Sequence, residues 1–304
     1  MKMETNKIYN MDCLEGMKQL PDESVDMILC DLPYGNTECK WDNVIPLDKL
    51  WNQYKRVIKS NGIIVLTSTE PFTSDLINSN REMFKYDWIW LKKNSTGFLN
   101  AKVRPMRKHE NILVFSKSGI TSNRNDTTYN AQGLKDIQKI KRNFNTESFG
   151  ERESRKTGSS YIQTKTNYPN TILEFGYDKD KLHPTQKPVA LFEYLIKTYS
   201  DKGDLILDNC IGSGTTAVAC INTGRNFIGY ETDEDHFQTA VGRIQSAKSQ
   251  TQLSNESCPT EDLIGIKRKP CEVSQSLLRK PSLNSDIKSL NSQNETKKTK
   301  KNKE

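Results

Sequence analysis

The sequence predicts an α/β fold built on an open, mostly parallel sheet. Three observations predict it. Short apolar runs alternate with amphipathic segments over residues 25–115 and again over 189–247, the pattern of buried strands covered by helices. Two of the runs end in turn-forming segments, Asp31-Leu-Pro-Tyr-Gly35 and Asp208-Asn-Cys-Ile-Gly-Ser-Gly214. That puts polar groups at strand carboxyl ends, where open sheets bind ligands. The remainder is polar: apolar residues are 34% of the 304 and mean hydropathy is −0.76, so part of the chain lies outside any core.

The elements follow in order. Val25–Cys30 is a short apolar run that suits a buried parallel strand. Leu47 to Lys59 has helical apolar spacing, and Asn61-Gly62 is expected to end that helix through a left-handed glycine. Ile63–Thr67 is β-branched and predicts a strand; Tyr86–Leu91 and Asn111–Phe115 predict two more. From 116 to 181 the periodicity breaks down into Asn, Thr, Ser, Gly, Lys and Arg, as expected of an inserted segment. Regularity returns with a helix over Val189–Tyr199, a strand at Leu205–Leu207 and a helix over Thr215–Ile221. A strand at Phe227–Tyr230 and a helix over Glu234–Ala247 follow. The domain is thus expected to span 1–248, with 249–304 a disordered basic tail too polar to offset its ordering entropy.

Charge is unevenly placed. The net +7 conceals a central segment, 92–181, with 18 basic and 9 acidic residues, between acidic flanks. Such an island suits a polyanion, although an ordinary solvated face has the same composition. No apolar stretch is long enough to cross a membrane, and the first residues lack the apolar run of a secretory signal. Seven cysteines without a CxxC pair indicate reduced thiols in the cytoplasm, not a zinc site or a disulfide framework. His109, His183 and His236 have no ligand-like spacing, so no metal is expected.

Two constellations carry chemistry. In Leu207-Asp-Asn-Cys-Ile-Gly-Ser-Gly-Thr-Thr216, the small residues allow a tight turn and close backbone approach to a ligand, and Asp208 ends the strand. Glu231 ends the next strand, as an acidic ribose partner does in nucleotide-type sites. A glycine turn alone is common in structural loops; the two flanking carboxylates make it a cofactor site. There is no phosphate-binding GKS/T sequence, and acidic strand ends suit a cofactor without phosphates. The second constellation is Asp31-Leu-Pro-Tyr34. A carboxylate and a backbone carbonyl can accept both hydrogens of an exocyclic amine, and a tyrosine offers a face for stacking. In isolation such a segment would more often be a turn with an inward aromatic.

Together, DLPYG, LDNCIGSGTT and HPTQKP at 183–188 resemble the S-adenosylmethionine-dependent DNA amino-methyltransferases of the permuted β class. The catalytic motif comes first, target recognition lies in the middle, and the glycine loop comes last. The resemblance runs from about Ile8 to Arg243 and includes Asn10–Cys13, Trp41-Asp42, Trp90–Lys93, Lys108–Phe115 and Gly224–Glu231. It implies a Rossmann-like sheet of the methyltransferase type and S-adenosylmethionine as cofactor. Asp31 and the Leu32 carbonyl would hold the target amine, with Pro33 fixing the turn and Tyr34 stacking on the extruded base. Asp208, Gly212, Gly214 and Thr215 would line the methionine portion, and Glu231 would bind the ribose. Thr185, Gln186, Lys187 and Pro188 would close the pocket, with Asp12 at the adenine edge. Arg104, Arg107, Lys108, Arg124, Lys141 and Arg142 would contact double-stranded DNA. Leu32 replaces the first proline of the commoner DPPY, a position that acts through its carbonyl. Asn209-Cys210 stands where Pro-Phe is usual, which removes an aromatic surface beside the cofactor.

The implied activity is site-specific methylation of a flipped base at an exocyclic amine. Adenine N6 is preferred over cytosine N4, since a serine at the first motif position is more typical of the latter. A homodimer and a separate restriction endonuclease are compatible with it, in a bacterial or phage-infected cell. Two other readings compete. A catalytically inactive DNA-binding or cofactor-sensing relative would be free to lose Asp31 and Tyr34. A nicotinamide-dependent dehydrogenase would leave HPTQKP, DLPYG and the basic segment without a role.

Overall fold

The computed structural model describes residues 3–35, 42–119, 126–142, 160–178 and 186–256. They belong to one compact unit, Met1–Cys258; a second unit, Pro259–Glu304, lies outside the described residues. The elements, in chain order, are β1 (Lys7–Asn10), α1 (Cys13–Met17), β2 (Val25–Asp31), α2 (Leu47–Val57), β3 (Ile58–Ser68) and α3 (Phe72–Ser79). Then come β4 (Phe84–Thr96), β5 (Arg107–Phe115), β6 (Lys135–Arg142), β7 (Ser160–Thr166) and β8 (Ile172–Phe175). The series ends with α4 (Val189–Tyr199), β9 (Leu205–Asp208), α5 (Thr215–Thr223), β10 (Asn226–Glu231) and α6 (Glu234–Glu256).

Eight strands form one sheet in the order β1-β10-β9-β2-β3-β5-β4-β8. All run in one direction except β5, which is antiparallel to both neighbours. The alternation of side chains along β2 shows how the sheet is buried on two faces. Met27 and Leu29 join Ile63, Val65, Trp90, Leu195 and Ala219 in a core under α4, α5 and α6. Ile28 and Cys30 join Ile64, Leu66, Trp51, Tyr54 and Leu76 in a second core under α1, α2 and α3. This is the predicted Rossmann-like arrangement. Chain direction from β9 proceeds outward to β10 on one side and from β2 outward to β3 on the other. The crevice at their carboxyl ends is therefore a topological switch point.

The structure corrects several boundaries. α2 ends at Val57, because Ile58 turns to an extended backbone and begins β3 opposite Val25. Gly62 therefore lies inside a strand and is not a helix cap. Its missing Cβ would come within 2.8 Å of the Asp26 carbonyl and 2.7 Å of Ile58, so the glycine serves close packing. The segment 116–181 is not without regular structure: β6 and β7 pair as a separate antiparallel ribbon, and β8 extends the main sheet. α6 runs to Glu256, eight residues into the stretch expected to be tail; the rest of that stretch lies outside the described residues. β1, α1 and α3 are further elements that periodicity did not single out. Among the described residues, no helix is long and apolar enough to cross a membrane.

Candidate active site

The parallel strands bring their last residues to one edge: Asp31 of β2, Thr67 and Ser68 of β3, Thr96 of β4, Asp208 of β9 and Glu231 of β10. β5 runs the other way and brings its first residues, Arg107 to Glu110, to the same edge. A cleft of about 740 Å³ opens there, a size that takes a cofactor-sized molecule. Its lining includes Asp31, Leu32, Pro33 and Tyr34 on one side and Asp208, Gly212, Thr215 and Glu231 on the other, with Asp12, Lys187 and Arg107 also contributing.

On the first side, Asp31 is the hub. Its Oδ1 accepts hydrogen bonds from the Tyr34 hydroxyl at 2.6 Å and from the Thr67 hydroxyl, and its Oδ2 accepts from Lys187 Nζ at 2.7 Å. Tyr34 is half-buried, with its ring 5.4 Å from that of Phe72, and Lys187 Nζ stands 5.6 Å from the Tyr34 ring centre. Burial, reinforced by the Asp31 charge, raises the Tyr34 phenol well above its ordinary range, so the hydroxyl is a donor. Gly35 closes the turn at φ +66°, with its N–H donating to Asp42 Oδ1 at 2.9 Å.

The resemblance groups Lys187 with the residues that would close the cofactor pocket; its ammonium reaches across to Asp31. It lies between Asp31 and Glu110 Oε2, the latter at 3.2 Å but at an angle short of a hydrogen bond. Glu110 Oε1 in turn pairs with buried Lys92 at 3.3 Å. Burial alone would lower the Lys187 ammonium, but Asp31, Tyr34 and Glu110 hold it well above its usual range. The result is a row of alternating charges, Asp31, Lys187, Glu110 and Lys92, which keeps buried ions paired. Glu110 and Lys92 escaped the motif reading; only the β4–β5 pairing brings them together.

On the other side, Gly212 and Gly214 adopt φ of +50° and +85°, and Gly214 starts α5. A Cβ on Gly214 would lie 3.0 Å from Ala240 Cβ, whereas none of the surrounding atoms comes within 4 Å of one on Gly212, leaving an open cradle there. Asp208 is buried; it accepts from the Thr216 hydroxyl and from the Cys210 N–H at 3.1 Å. Desolvation still pushes it up to about 7. Glu231 accepts from the N–H groups of Gly212, Thr232 and Asp233 at 2.8–2.9 Å, so its carboxylate also fixes the glycine loop. Arg243, which the motifs did not reveal, holds that loop from α6: its Nη1 donates to the Ser213 carbonyl at 2.7 Å and the Thr215 hydroxyl at 3.2 Å.

Asp12 caps α1, accepting from the N–H groups of Leu14 and Glu15, so it has a structural task besides its place on the cleft. Pro188 precedes the first turn of α4 and Gln186 bonds Asp178, tying the segment down. Asn209 is buried, accepting from the Tyr54 hydroxyl, with Nδ2 against the Cys210 and Cys13 sulfurs; an amide network replaces the usual aromatic. Arg107 donates to the Thr69 hydroxyl at 3.3 Å on the cleft rim. Arg104 and Lys108 are exposed at the same end, and Lys141 and Arg142 lie exposed on the β6–β7 ribbon. Thr185, His183 and Arg124 lie outside the described residues. Among the described residues no cluster of His, Cys, Asp or Glu could hold a metal ion.

Known proteins match this chain along most of its length. It is 28% identical to the type II methyltransferase M.HinfI of Haemophilus influenzae over 80% of this chain and 69% of that protein. It is 25% identical to the type II methyltransferase M.HpaI of Haemophilus parainfluenzae, over 88% and 81%. Among solved structures, the M1.HpyAVI–SAM complex is 28% identical with a TM-score of 0.51, covering 78% of this chain and 98% of that one. The cytosine-N4-specific PvuII DNA methyltransferase shares the fold at 15% identity and a TM-score of 0.58, covering 84% and 93%. The family model described as DNA methylase matches residues 25–242, from the start of β2 well into α6, and the chain belongs to that family.

Proposed function

We propose that this DNA methyltransferase moves the methyl group of S-adenosylmethionine to the N6 amine of an adenine flipped out of double-stranded DNA, at a specific sequence. The observation that carries this reading is that one cleft holds both the Asp31 carboxylate and the glycine loop. The residues present fit the cofactor. Asp208 offers a buried carboxylate to an ammonium, Gly212 an open cradle, and Glu231, with three backbone N–H groups on it, keeps about one lone-pair site, on Oε2, for a ribose hydroxyl. When bound, S-adenosylmethionine supplies an electrophilic methyl on a sulfonium.

This chain's own residues do the rest. An aromatic amine is a poor nucleophile because its lone pair is delocalised into the ring. Asp31 and the Leu32 carbonyl, accepting from both N–H groups, favour a pyramidal nitrogen with a localised pair, and this positioning is the main catalytic contribution. Asp31 is then the acceptor for the proton that the methylated nitrogen sheds. The Tyr34 hydroxyl donates to Asp31 Oδ1. The target amine takes that place, which frees the Tyr34 ring to face the base. Lys187 stays on Oδ2 and fixes the carboxylate's orientation.

Adenine is preferred over cytosine N4 because aspartate opens the DLPY segment. Methylating a mixed-sequence DNA, then separating the digested nucleosides, tests base and atom together: N4-methylcytosine as sole product would refute the adenine assignment. The same reading carries a cytoplasmic setting, a separate restriction endonuclease and self-association, the last measurable by light scattering.

A further inference from the structure

Residues 97–106 form a loop that rises from the rim of the cleft. Its two feet, Thr96 and Arg107, pair with each other, joined by the Thr96 hydroxyl donating to the Arg107 carbonyl at 3.4 Å, and both line the cleft. Gly97, at φ +90°, turns the chain into a single 3₁₀ turn, Phe98–Asn100. This turn carries large apolar side chains outward: Phe98 is 80% exposed, Leu99 97% and, just beyond, Val103 82%. Clustered apolar groups in water mark a contact surface. The surrounding charge says what kind. Lys93, Lys102, Arg104 and Lys108 are all exposed, and the sequence from Lys92 to His109 contains no carboxylate.

An apolar tip within a cationic collar, at the mouth of the cleft, fits duplex DNA. The cations meet phosphates while the tip meets the base stack. We infer that Phe98 and Leu99 are the wedge that enters the duplex beside the target and fills the gap left by the flipped base. This rests on the proposed reading of the cleft as a site for an extruded base. Flipping costs pairing and stacking; an apolar side chain lodged in the vacated step restores contact and blocks the base's return. Phe98 and Leu99 are thus positioning residues, which touch neither the cofactor nor the reacting nitrogen.

The test uses the full-length protein, S-adenosylmethionine and two duplexes carrying the sequence that it methylates. In one the target base is paired; in the other it faces an abasic site and needs no unpairing. The Phe98→Ala/Leu99→Ala variant should methylate the paired duplex at least about tenfold more slowly in a single turnover, while staying within about twofold of wild type on the other. 2-Aminopurine at the target position should lose its fluorescence rise in the variant and keep it in Phe98→Trp. Equal loss on both duplexes, or no loss on either, overturns the wedge. A wild-type dimer that the substitutions dissociate also overturns it, assigning the tip to a second copy. A wild-type protein that methylates no sequence in a mixed-sequence DNA, and so yields no such duplex, overturns the reading of the cleft itself, and the wedge with it.

Discussion

If the ammonium of S-adenosylmethionine lies beside Asp208, as proposed above, cofactor binding should depend on pH, with a sign set by the burial of Asp208. Its side chain is 3% exposed, and desolvation raises its pKa from 3.8 to about 7 against the Thr216 and Cys210 hydrogen bonds that favour the charge. A carboxylate raised in the folded state binds more protons there than in the unfolded chain between about pH 4 and 7. Stability of the free protein therefore falls as pH rises through that window and levels off above it. The displacement corresponds to ~4 kcal/mol at most. A cationic ammonium beside Asp208 favours the ionised form, so S-adenosylmethionine should expel a proton on binding below about pH 7, and progressively less above it. Affinity should rise on the order of tenfold from pH 5.5 to pH 7. Calorimetric titration in buffers of different ionisation enthalpy measures both. Asp208→Asn should flatten this profile, weaken binding at pH 7.5 by roughly 1.5–3 kcal/mol, and raise the melting temperature of the free protein at pH 8. Flat wild-type affinity over the window, or an asparagine variant that binds like wild type, would refute the argument.

Other outcomes follow from the same geometry. Asp31→Ala should lose about 10²-fold or more in methyl transfer while its calorimetric affinity for S-adenosylmethionine stays close to wild type. Tyr34→Phe removes the hydroxyl that occupies Asp31 Oδ1 but keeps the ring; its turnover should stay within about threefold of wild type, whereas Tyr34→Ala should lose ~1–3 kcal/mol of base stacking in steady-state assays. Deleting residues 257–304 should leave the methylated sequence unchanged and reduce the salt dependence of DNA binding. Arg104→Ala with Arg107→Ala should lower the slope of log K against log salt by up to about two in titrations with specific and scrambled duplexes.

What was legible in the sequence was local. Asp31-Leu-Pro-Tyr34 and Asp208 to Thr216 announce themselves because turn residues directly follow apolar strands. α4 was legible to the residue because one face is apolar and proline precedes it. The α2–β3 junction was not, since Val57 and Ile58 satisfy the helical spacing and the buried strand alike. β6 and β7 left no pattern because both faces of their ribbon are largely exposed, so no core imposes alternation on Lys135–Arg142. Lys92, Glu110 and Arg243 lie within the stretch that the resemblance covers, but their roles were not legible, for a different reason. Each reaches its partner through sheet pairing or helix packing, and a buried charge acquires meaning only from the charge placed beside it.

Asp31 and the glycine loop lie far apart in the chain, and the strand register brings them to one cleft. β2 pairs with β9 through Met27–Ile206 and Ile28–Leu207, so Asp31 and Asp208 end adjacent strands although one lies near the start of the chain and the other near residue 200. β1 in turn pairs with β10, from Lys7–Ile228 to Asn10–Glu231, placing Asp12 and Glu231 at the same edge. Each half therefore supplies the neighbour that the other's strand lacks. β2 without β9 would expose a long apolar edge, and the glycine loop without β2 would have no facing wall. The site is a property of the β2–β9 junction, and parallel pairing at that junction fixes the height of both carboxylates along the sheet. The order in which the chain delivers the two strands does not enter that geometry. Whichever strand comes first in the chain, the Asp31 carboxylate and the glycine loop face each other across one strand spacing.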